Sequence, residues 1–147
     1  MIQEAFESTY HVLGRDFPNA GRVSTSIKDT LKRMGIHPLV VRRIAIVSYE
    51  AEMNLVIHTD EGGEILVEVR PDRVSITATD AGPGIADISL AMQEGWSTAP
   101  DEVRNLGFGA GMGLPNMKKN ADDFDIRSAP GQGTTVRMTV YINTEGR

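Results

Sequence analysis

The sequence predicts an α+β fold, a two-layer sandwich in which helices cover one face of a mostly antiparallel mixed sheet. Two patterns support this prediction. Apolar residues recur at helical spacing between positions 18 and 58, and from position 64 onward they alternate with polar residues as in half-buried strands. The chain has 147 residues, the length of a single domain, so we expect residues 1–147 to form one unit.

Two helices are predicted in the first part of the chain, at 18–34 and from Pro38 to about His58. Gly35 follows the first helix where a C-terminal glycine cap belongs. The second helix has an apolar arc broad enough that it must face a sheet. The apolar positions are Val23, Ile27, Leu31 and Met34 in the first helix and Val40, Ile44, Val47, Ala51 and Leu55 in the second.

Alternation predicts a short edge strand at 8–13 and an antiparallel hairpin at 64–78 that turns at Pro71 and Asp72. Two further strands are expected at 124–128 and 134–142. Counting by two along the strands places Asp80 in phase with the buried side of its strand. Thr134 is likewise in phase with the buried side of the last strand, so both polar side chains should point inward.

Composition excludes several classes of protein. The net charge is −5 and no lysine and arginine cluster exceeds a pair, which argues against nucleic-acid binding. There are no cysteines for disulfides or thiolate metal sites. No apolar stretch reaches the length of a membrane span, and we expect a cytoplasmic protein without membrane contact.

Two glycine clusters flank a polar loop between Thr79 and Asn116. Glycine permits positive φ and close approach of the backbone to a ligand, but it destabilises regular structure, so the seven glycines of this stretch indicate a binding site. The second cluster leads into a helix start at Leu114 and Pro115. Free N–H groups and the helix dipole favour an anion there, and phosphate is the obvious one.

Glu50 and Asn54 are four residues apart and therefore share one stripe of the second helix, beside its apolar arc. A carboxylate next to an amide oxygen suits a base beside a Mg²⁺ ligand. Taken alone, the pair is more often simply two surface residues of an amphipathic helix. His58, one turn later, is better interpreted as a boundary histidine with a local hydrogen bond.

The alternating glycines match neither the Walker A spacing nor the dinucleotide fingerprint, and the motifs of eukaryote-type protein kinases are absent. The ordered set of motifs instead resembles the GHKL ATPase family, which includes gyrases and histidine kinases and has the Bergerat ATP-binding fold. Residues 50–54 resemble its N box, 80–84 and 107–113 its two glycine boxes, and 133–135 its threonine motif. Residues 54–58, 95–98 and 113–118 further resemble small bacterial serine/threonine kinases of the anti-sigma and stress-switch type.

The resemblance implies that ATP binds between the second helix, the sheet and the loop. Asp80 would accept a hydrogen bond from the adenine amino group with support from Thr134, Asn54 would hold Mg²⁺, and Glu50 would act as the base. Arg104 or Lys118 would meet the γ-phosphate, while Trp96 is equally well interpreted as a partner contact or as packing. The other implied nucleotide contacts are Gly82, Gly84, Ile85, Gly107, Gly109, Gly111, Met112, Gly113 and Leu114. Two departures from the family are Leu55, where alanine is common, and the extra glycine of the second box.

The leading hypothesis from the sequence is an ATP-dependent serine/threonine protein kinase. Its substrate would be a STAS (anti-sigma-antagonist-like) protein in a bacterial regulatory switch, with a sigma factor or a phosphatase as a further partner. Two alternatives stay open: a non-catalytic ATP-gated binding module and a detached histidine-kinase catalytic domain. The helix with Val23, Ile27 and Leu31 could also serve a homodimer.

Overall fold

The structure, a computed structural model, describes residues 5–80, 82 and 113–142. The described chain contains five strands, three α-helices and one short 3-10 helix. In chain order they are β1 (Phe6–Val12), the 3-10 helix (Phe17–Asn19), α1 (Arg22–Arg33), α2 (Pro38–His58), β2 (Gly63–Arg70), β3 (Arg73–Asp80), α3 (Gly113–Asn120), β4 (Asp123–Ser128) and β5 (Thr134–Tyr141).

The five strands form one sheet in the order β1-β2-β3-β5-β4, and all four pairings are antiparallel. The prediction of an α+β sandwich with helices on one face is confirmed, as is the edge position of β1. The face of the sheet opposite the helices is largely polar, and on it Arg70 forms ion pairs with Glu7 and Glu68. Among the described residues, no helix is both long and apolar enough to cross a membrane.

The core lies between α2 and the inward side chains of the sheet. The predicted apolar arc of α2 is buried, and it packs against β2, β3 and β5. Fully buried isoleucines such as Ile44, Ile65 and Ile76 lie in this layer, and each contributes roughly 1.5–3 kcal/mol through burial. Because α1 and α3 also pack against α2, this helix is covered on more sides than a two-layer amphipathic pattern requires.

The start of α1 differs from its prediction. The helix begins at Arg22, not at position 18, because Gly21 takes a left-handed conformation with φ of 97°. The carboxylate of Glu52, buried on α2, accepts hydrogen bonds from the backbone N–H groups of Gly21, Val23 and Ser24 at 2.9–3.2 Å. A side chain from another helix therefore supplies the cap that the local sequence lacks.

The end of α1 agrees with its prediction. Gly35 has φ of 79°, and the N–H groups of Gly35 and Ile36 donate to the carbonyls of Lys32 and Leu31. This is the Schellman arrangement of a glycine-capped helix. The tight turn that follows brings the chain directly into α2, so α1 and α2 form an antiparallel pair.

Arg43 fixes the connection between α3 and β4 to α2. Its guanidinium donates to the carbonyl of Asn120 at 2.9 Å and to the carboxylate of Asp122 at 3.0 Å. Burial raises the pKa of Asp122, but the hydrogen bonds from Arg43 and from the N–H of Tyr141 outweigh it, and the pKa lies below 3.8. These contacts hold α3 in place beside α2, where the candidate site begins.

Candidate functional site

Glu50 and Asn54 lie half-buried on the side of α2 that contacts α3. Asn116, in the first turns of α3, donates a hydrogen bond from Nδ2 to Oε2 of Glu50 at 2.8 Å. A neutral amide donor orients a carboxylate without neutralising it by an ion pair. Glu50 is thus held in one orientation at the seam between the two helices.

Asn54 faces the beginning of α3 one turn further along. A Cβ atom built on Gly113 would lie 3.1 Å from Oδ1 of Asn54, closer than most such contacts. Any other residue at position 113 would press on the amide, so the glycine lets the backbone approach it. The N–H groups of the first turn of a helix have no intrahelical acceptors, and here they begin next to an amide oxygen.

Asp80 is the last residue of β3 and Thr134 the first residue of β5, and the two are direct partners across the strands. Both are half-buried, and they continue the series of buried side chains that includes Ala78 and Val136. The inward phase predicted for the two residues is therefore observed. They lie at the end of the sheet where β3 ends, two residues before Gly82.

Among the described residues, one oxygen of the Asp80 carboxylate accepts a hydrogen bond and the other does not. Oδ1 accepts a hydrogen bond from the N–H of Gly82 at 2.7 Å. Within residues 5–80, 82 and 113–142, Oδ2 accepts none. Ser128 donates its hydroxyl proton to the carbonyl of Gly133 at 2.9 Å, so the 2.8 Å contact between the two hydroxyls makes Thr134 the donor. The Thr134 oxygen thus keeps acceptor capacity beside Asp80.

The backbone at Gly82 packs closely against Asp80 and Thr59. A Cβ there would meet Oδ1 of Asp80 at 3.0 Å and Cγ2 of Thr59 at 3.3 Å. Thr59 in turn donates to the carbonyl of Leu55 at 2.7 Å and accepts from the N–H of Gly62 at 2.6 Å. The backbone just after β3 therefore lies close to Thr59 at the end of α2, and the hydrogen bond from Gly82 holds one oxygen of the Asp80 carboxylate.

Other residues predicted for the site divide into two groups. The side chain of Leu114 lies in the core at 7% exposure, so only its backbone is placed to reach a ligand, and Lys118 is exposed on α3. The remaining predictions fall on residues outside those that the structure describes. These are Gly84, Ile85, Arg104, Gly107, Gly109, Gly111, Met112 and Trp96.

The residues described fit a nucleotide with Mg²⁺ better than a protein-enclosed metal. Among these residues, no group of three or more histidine, aspartate or glutamate side chains could hold a metal ion. Mg²⁺ bound through one amide oxygen, phosphates and water needs no such group, and Asn54 offers that oxygen next to the start of α3. The glycines at positions 82 and 113 let the backbone approach the Asp80 carboxylate and the Asn54 amide closely.

Two important residues were missed by the sequence interpretation. Asn116 belongs to a predicted helix start and to the resemblance over 113–118, but no local pattern relates it to Glu50, 66 positions earlier. Glu52 was placed in a motif without a role of its own, and its function as the cap of α1 depends on a contact over 28–31 positions. The only signal for Glu52 was a carboxylate within two residues of Glu50 on an otherwise buried helix.

His58, at the end of α2, is half-buried. Burial and, secondarily, the positive charge of Arg15 lower the pKa of His58 below 6.5. The imidazole is therefore neutral near pH 7.

Comparison with known proteins adds three findings. Residues 40–144, which are most of the chain, match the family model of the histidine kinase-, DNA gyrase B- and HSP90-like ATPases. The serine/threonine-protein kinase RsbT of Bacillus subtilis (strain 168) is 32% identical over 119 residues, which cover 78% of this chain and 83% of RsbT. The anti-sigma F factor of Caldanaerobacter subterraneus subsp. tengcongensis is 37% identical over 97 residues, or 63% of this chain.

A second anti-sigma F factor, from Pasteuria penetrans, is 40% identical over 101 residues, which cover 65% of this chain. The chain spans 64% of the length of each of these two anti-sigma F factors. The family match includes both helices of the candidate site and the strands that carry Asp80 and Thr134. The chain therefore belongs to the family of histidine kinase-, DNA gyrase B- and HSP90-like ATPases, the GHKL family.

Proposed function

We propose that the protein is an ATP-dependent kinase that phosphorylates a serine or threonine of a STAS-domain partner. The observation that carries the proposal is the position of Glu50, which Asn116 orients one helical turn from Asn54 and beside the start of α3. A structural carboxylate would not need to be held half-exposed at this seam. A catalytic base must be partly exposed, because it has to reach the hydroxyl from which it takes a proton.

Asp80 and Thr134 supply the base-recognition end of the proposed nucleotide site. The unengaged oxygen of Asp80 can accept a hydrogen bond from the exocyclic amino group of adenine. Thr134 contributes a second acceptor at the same end of the sheet. Guanine carries a carbonyl oxygen at the corresponding position, which would oppose the carboxylate, so the site favours ATP over GTP.

The proposed reaction is a single in-line transfer of the γ-phosphoryl group. Glu50 accepts the proton of the partner hydroxyl while the hydroxyl oxygen forms a bond to the γ-phosphorus. The bond between the γ-phosphorus and the β–γ bridging oxygen breaks, and ADP departs with the electrons of that bond. Asn54 and the phosphates would hold Mg²⁺, which would supply neutralisation of the charge on the phosphate oxygens. In this proposal the N–H groups at the start of α3 donate to those oxygens, because the first turn of a helix has N–H groups without intrahelical acceptors.

The names of the relatives support a regulatory role for this chemistry. RsbT is named a serine/threonine-protein kinase, and other relatives are named anti-sigma F factors. We propose on that basis a partner of the STAS class as substrate, with sigma-factor binding as a further activity. A non-catalytic ATP-gated module would share the nucleotide site but would have no use for an oriented base.

The test is transfer from γ-labelled ATP to purified STAS-domain proteins of the source genome. Glu50→Gln should lower the transfer rate by about 100-fold or more with unchanged ATP affinity, because removal of a general base typically costs 10²–10⁴-fold. The matched control is Glu61→Gln, which changes an exposed carboxylate after the same helix. Transfer by Glu50→Gln within twofold of the wild-type rate would contradict the proposal, and acid-labile phosphohistidine would favour the histidine-kinase alternative.

A further inference from the structure

A groove of about 610 Å³ lies between α1 and α2 on the outer side of the helical layer. It is distinct from the nucleotide end of the site but reaches it, because Glu50 is one of the residues that line it. From Pro38 to Glu50 the groove follows α2 over thirteen residues, a rise of roughly 18 Å at 1.5 Å per residue. That length matches about three turns of a second helix laid alongside.

The floor of the groove is apolar. Ile36 and Val41 are buried beneath it, while Ala45 and Ile46 are half-buried and Tyr49 is 42% exposed. Small and medium side chains in the middle, with a larger ring at one end, leave a channel instead of a flat surface. Apolar area of this kind between two helices is suited to the apolar face of an amphipathic helix.

The sides of the groove are positively charged. Lys28 and Lys32 line it from α1 and Arg42 lines it from α2, and all three are exposed. Within the described residues, none of the three forms an ion pair or a side-chain hydrogen bond, in contrast to Arg43, Arg70 and Arg73. Three uncompensated cations around an apolar channel are unexpected in a chain whose net charge is −5.

Among the described residues, Glu50 is the only carboxylate that lines the groove, and it accepts a hydrogen bond from Asn116. The electrostatic complement of the groove is therefore an acidic segment. Acidic side chains at the edges of a bound helix would meet Lys28, Lys32 and Arg42, while its apolar face would cover the floor. Such complementarity determines orientation and the rate of association more than it determines total affinity.

We propose that this groove docks an acidic amphipathic helix of the protein substrate, in an orientation that brings the acceptor hydroxyl to Glu50. The proposal rests on the proposed kinase function for the identity of the partner. The docking contacts themselves do not require transfer to occur. Because Glu50 lies at the end of the channel, a helix seated there places residues just beyond its end next to the base, so binding and chemistry share one continuous surface.

The experiment measures binding and phosphorylation of the STAS-domain protein by the full chain with Lys28, Lys32 and Arg42 all replaced by glutamate. We expect the Kd for the partner and the KM for phosphorylation to rise by about 30-fold, while kcat and the affinity for ATP stay within twofold. Arg33→Glu is the matched control, because Arg33 is an exposed cation on α1 outside the groove. It should change neither constant by more than twofold.

A cross-linking measurement tests the same proposal without dependence on the stability of the triple variant. A photoreactive phenylalanine analogue at Ile46 should cross-link to an acidic helical segment of the partner, identified by mass spectrometry of the joined peptides. Cross-links confined to a second copy of this chain, or to other residues of the same chain, would overturn the proposal. So would a triple variant whose KM equals that of the wild type.

The outcomes separate this inference from the proposed function. Groove-dependent binding of the partner without phosphoryl transfer would support the docking surface and refute the kinase assignment. Transfer that is insensitive to charge reversal would support the kinase and refute the docking surface. Failure of all STAS-domain proteins of the source genome to bind would refute both, because each names that class of partner.

Discussion

The cap that Glu52 provides for α1 leads to a strong prediction about stability. Glu52 is 2% exposed, and its carboxylate accepts three backbone N–H groups at the start of α1. In Glu52→Ala these donors lose their acceptor in a buried position. A cap that satisfies one N–H group is worth about 1–2 kcal/mol, and here three N–H groups lose their acceptor.

The expected loss in the free energy of unfolding for Glu52→Ala is therefore about 2–5 kcal/mol. Glu52→Gln should lose less, about 1–2 kcal/mol, because its carbonyl oxygen can still accept from one or two of the N–H groups. Its amide nitrogen cannot accept at all and would face the remaining donor. The order wild type, Gln, Ala is thus fixed by the number of acceptors that remain.

Urea unfolding followed by far-ultraviolet circular dichroism measures these differences directly. Glu61→Ala, which removes an exposed carboxylate just after α2, should stay within about 0.5 kcal/mol of the wild type. A Glu52→Ala variant that unfolds within the same 0.5 kcal/mol would refute the assigned role. A Glu52→Gln variant less stable than Glu52→Ala would show that the number of remaining acceptors does not determine the loss of stability.

Three further predictions concern the site and its surroundings. Asn116→Leu removes the donor to Glu50 and should lower kcat about tenfold with ATP affinity retained; an unchanged kcat and pH profile would exclude a positioning role. Gly113→Val should press on the amide of Asn54 and weaken ATP binding in the presence of Mg²⁺ about tenfold by calorimetry, and equal affinity would contradict the contact. His58 has a lowered pKa in the folded state, so the unfolded chain binds this proton more tightly, and stability should fall as the pH drops below 6.5. His58→Gln should flatten that fall in urea unfolding, and identical slopes would contradict it.

The sequence predicted those parts of the fold that local periodicity determines. The apolar arc of α2 and the inward phase of Asp80 and Thr134 follow from the spacing of side chains along a helix and a strand, and the structure has both. Gly35 was also predictable, because a glycine cap depends only on its own backbone conformation. These features need no knowledge of which elements are neighbours.

The features that were not predicted depend on contacts between distant elements. The expected start of α1 at position 18 was wrong because the true start is fixed by Gly21 together with Glu52 from α2. The hydrogen bond from Asn116 to Glu50 likewise needs α3 to pack beside α2. The groove between α1 and α2 combines an apolar floor with cations from two helices, and no single segment of sequence displays that combination.

The central claim is that the ends of β3 and β5, together with α2 and the start of α3, form an adenine-nucleotide site. Titration calorimetry with ATP and GTP in the presence of Mg²⁺, on the wild type and on Asp80→Asn, tests it most directly. We predict that the wild type binds ATP at least about 100-fold more tightly than GTP, and that Asp80→Asn loses most of this preference. Equal binding of the two nucleotides by the wild type, or an unchanged preference in Asp80→Asn, would contradict the account.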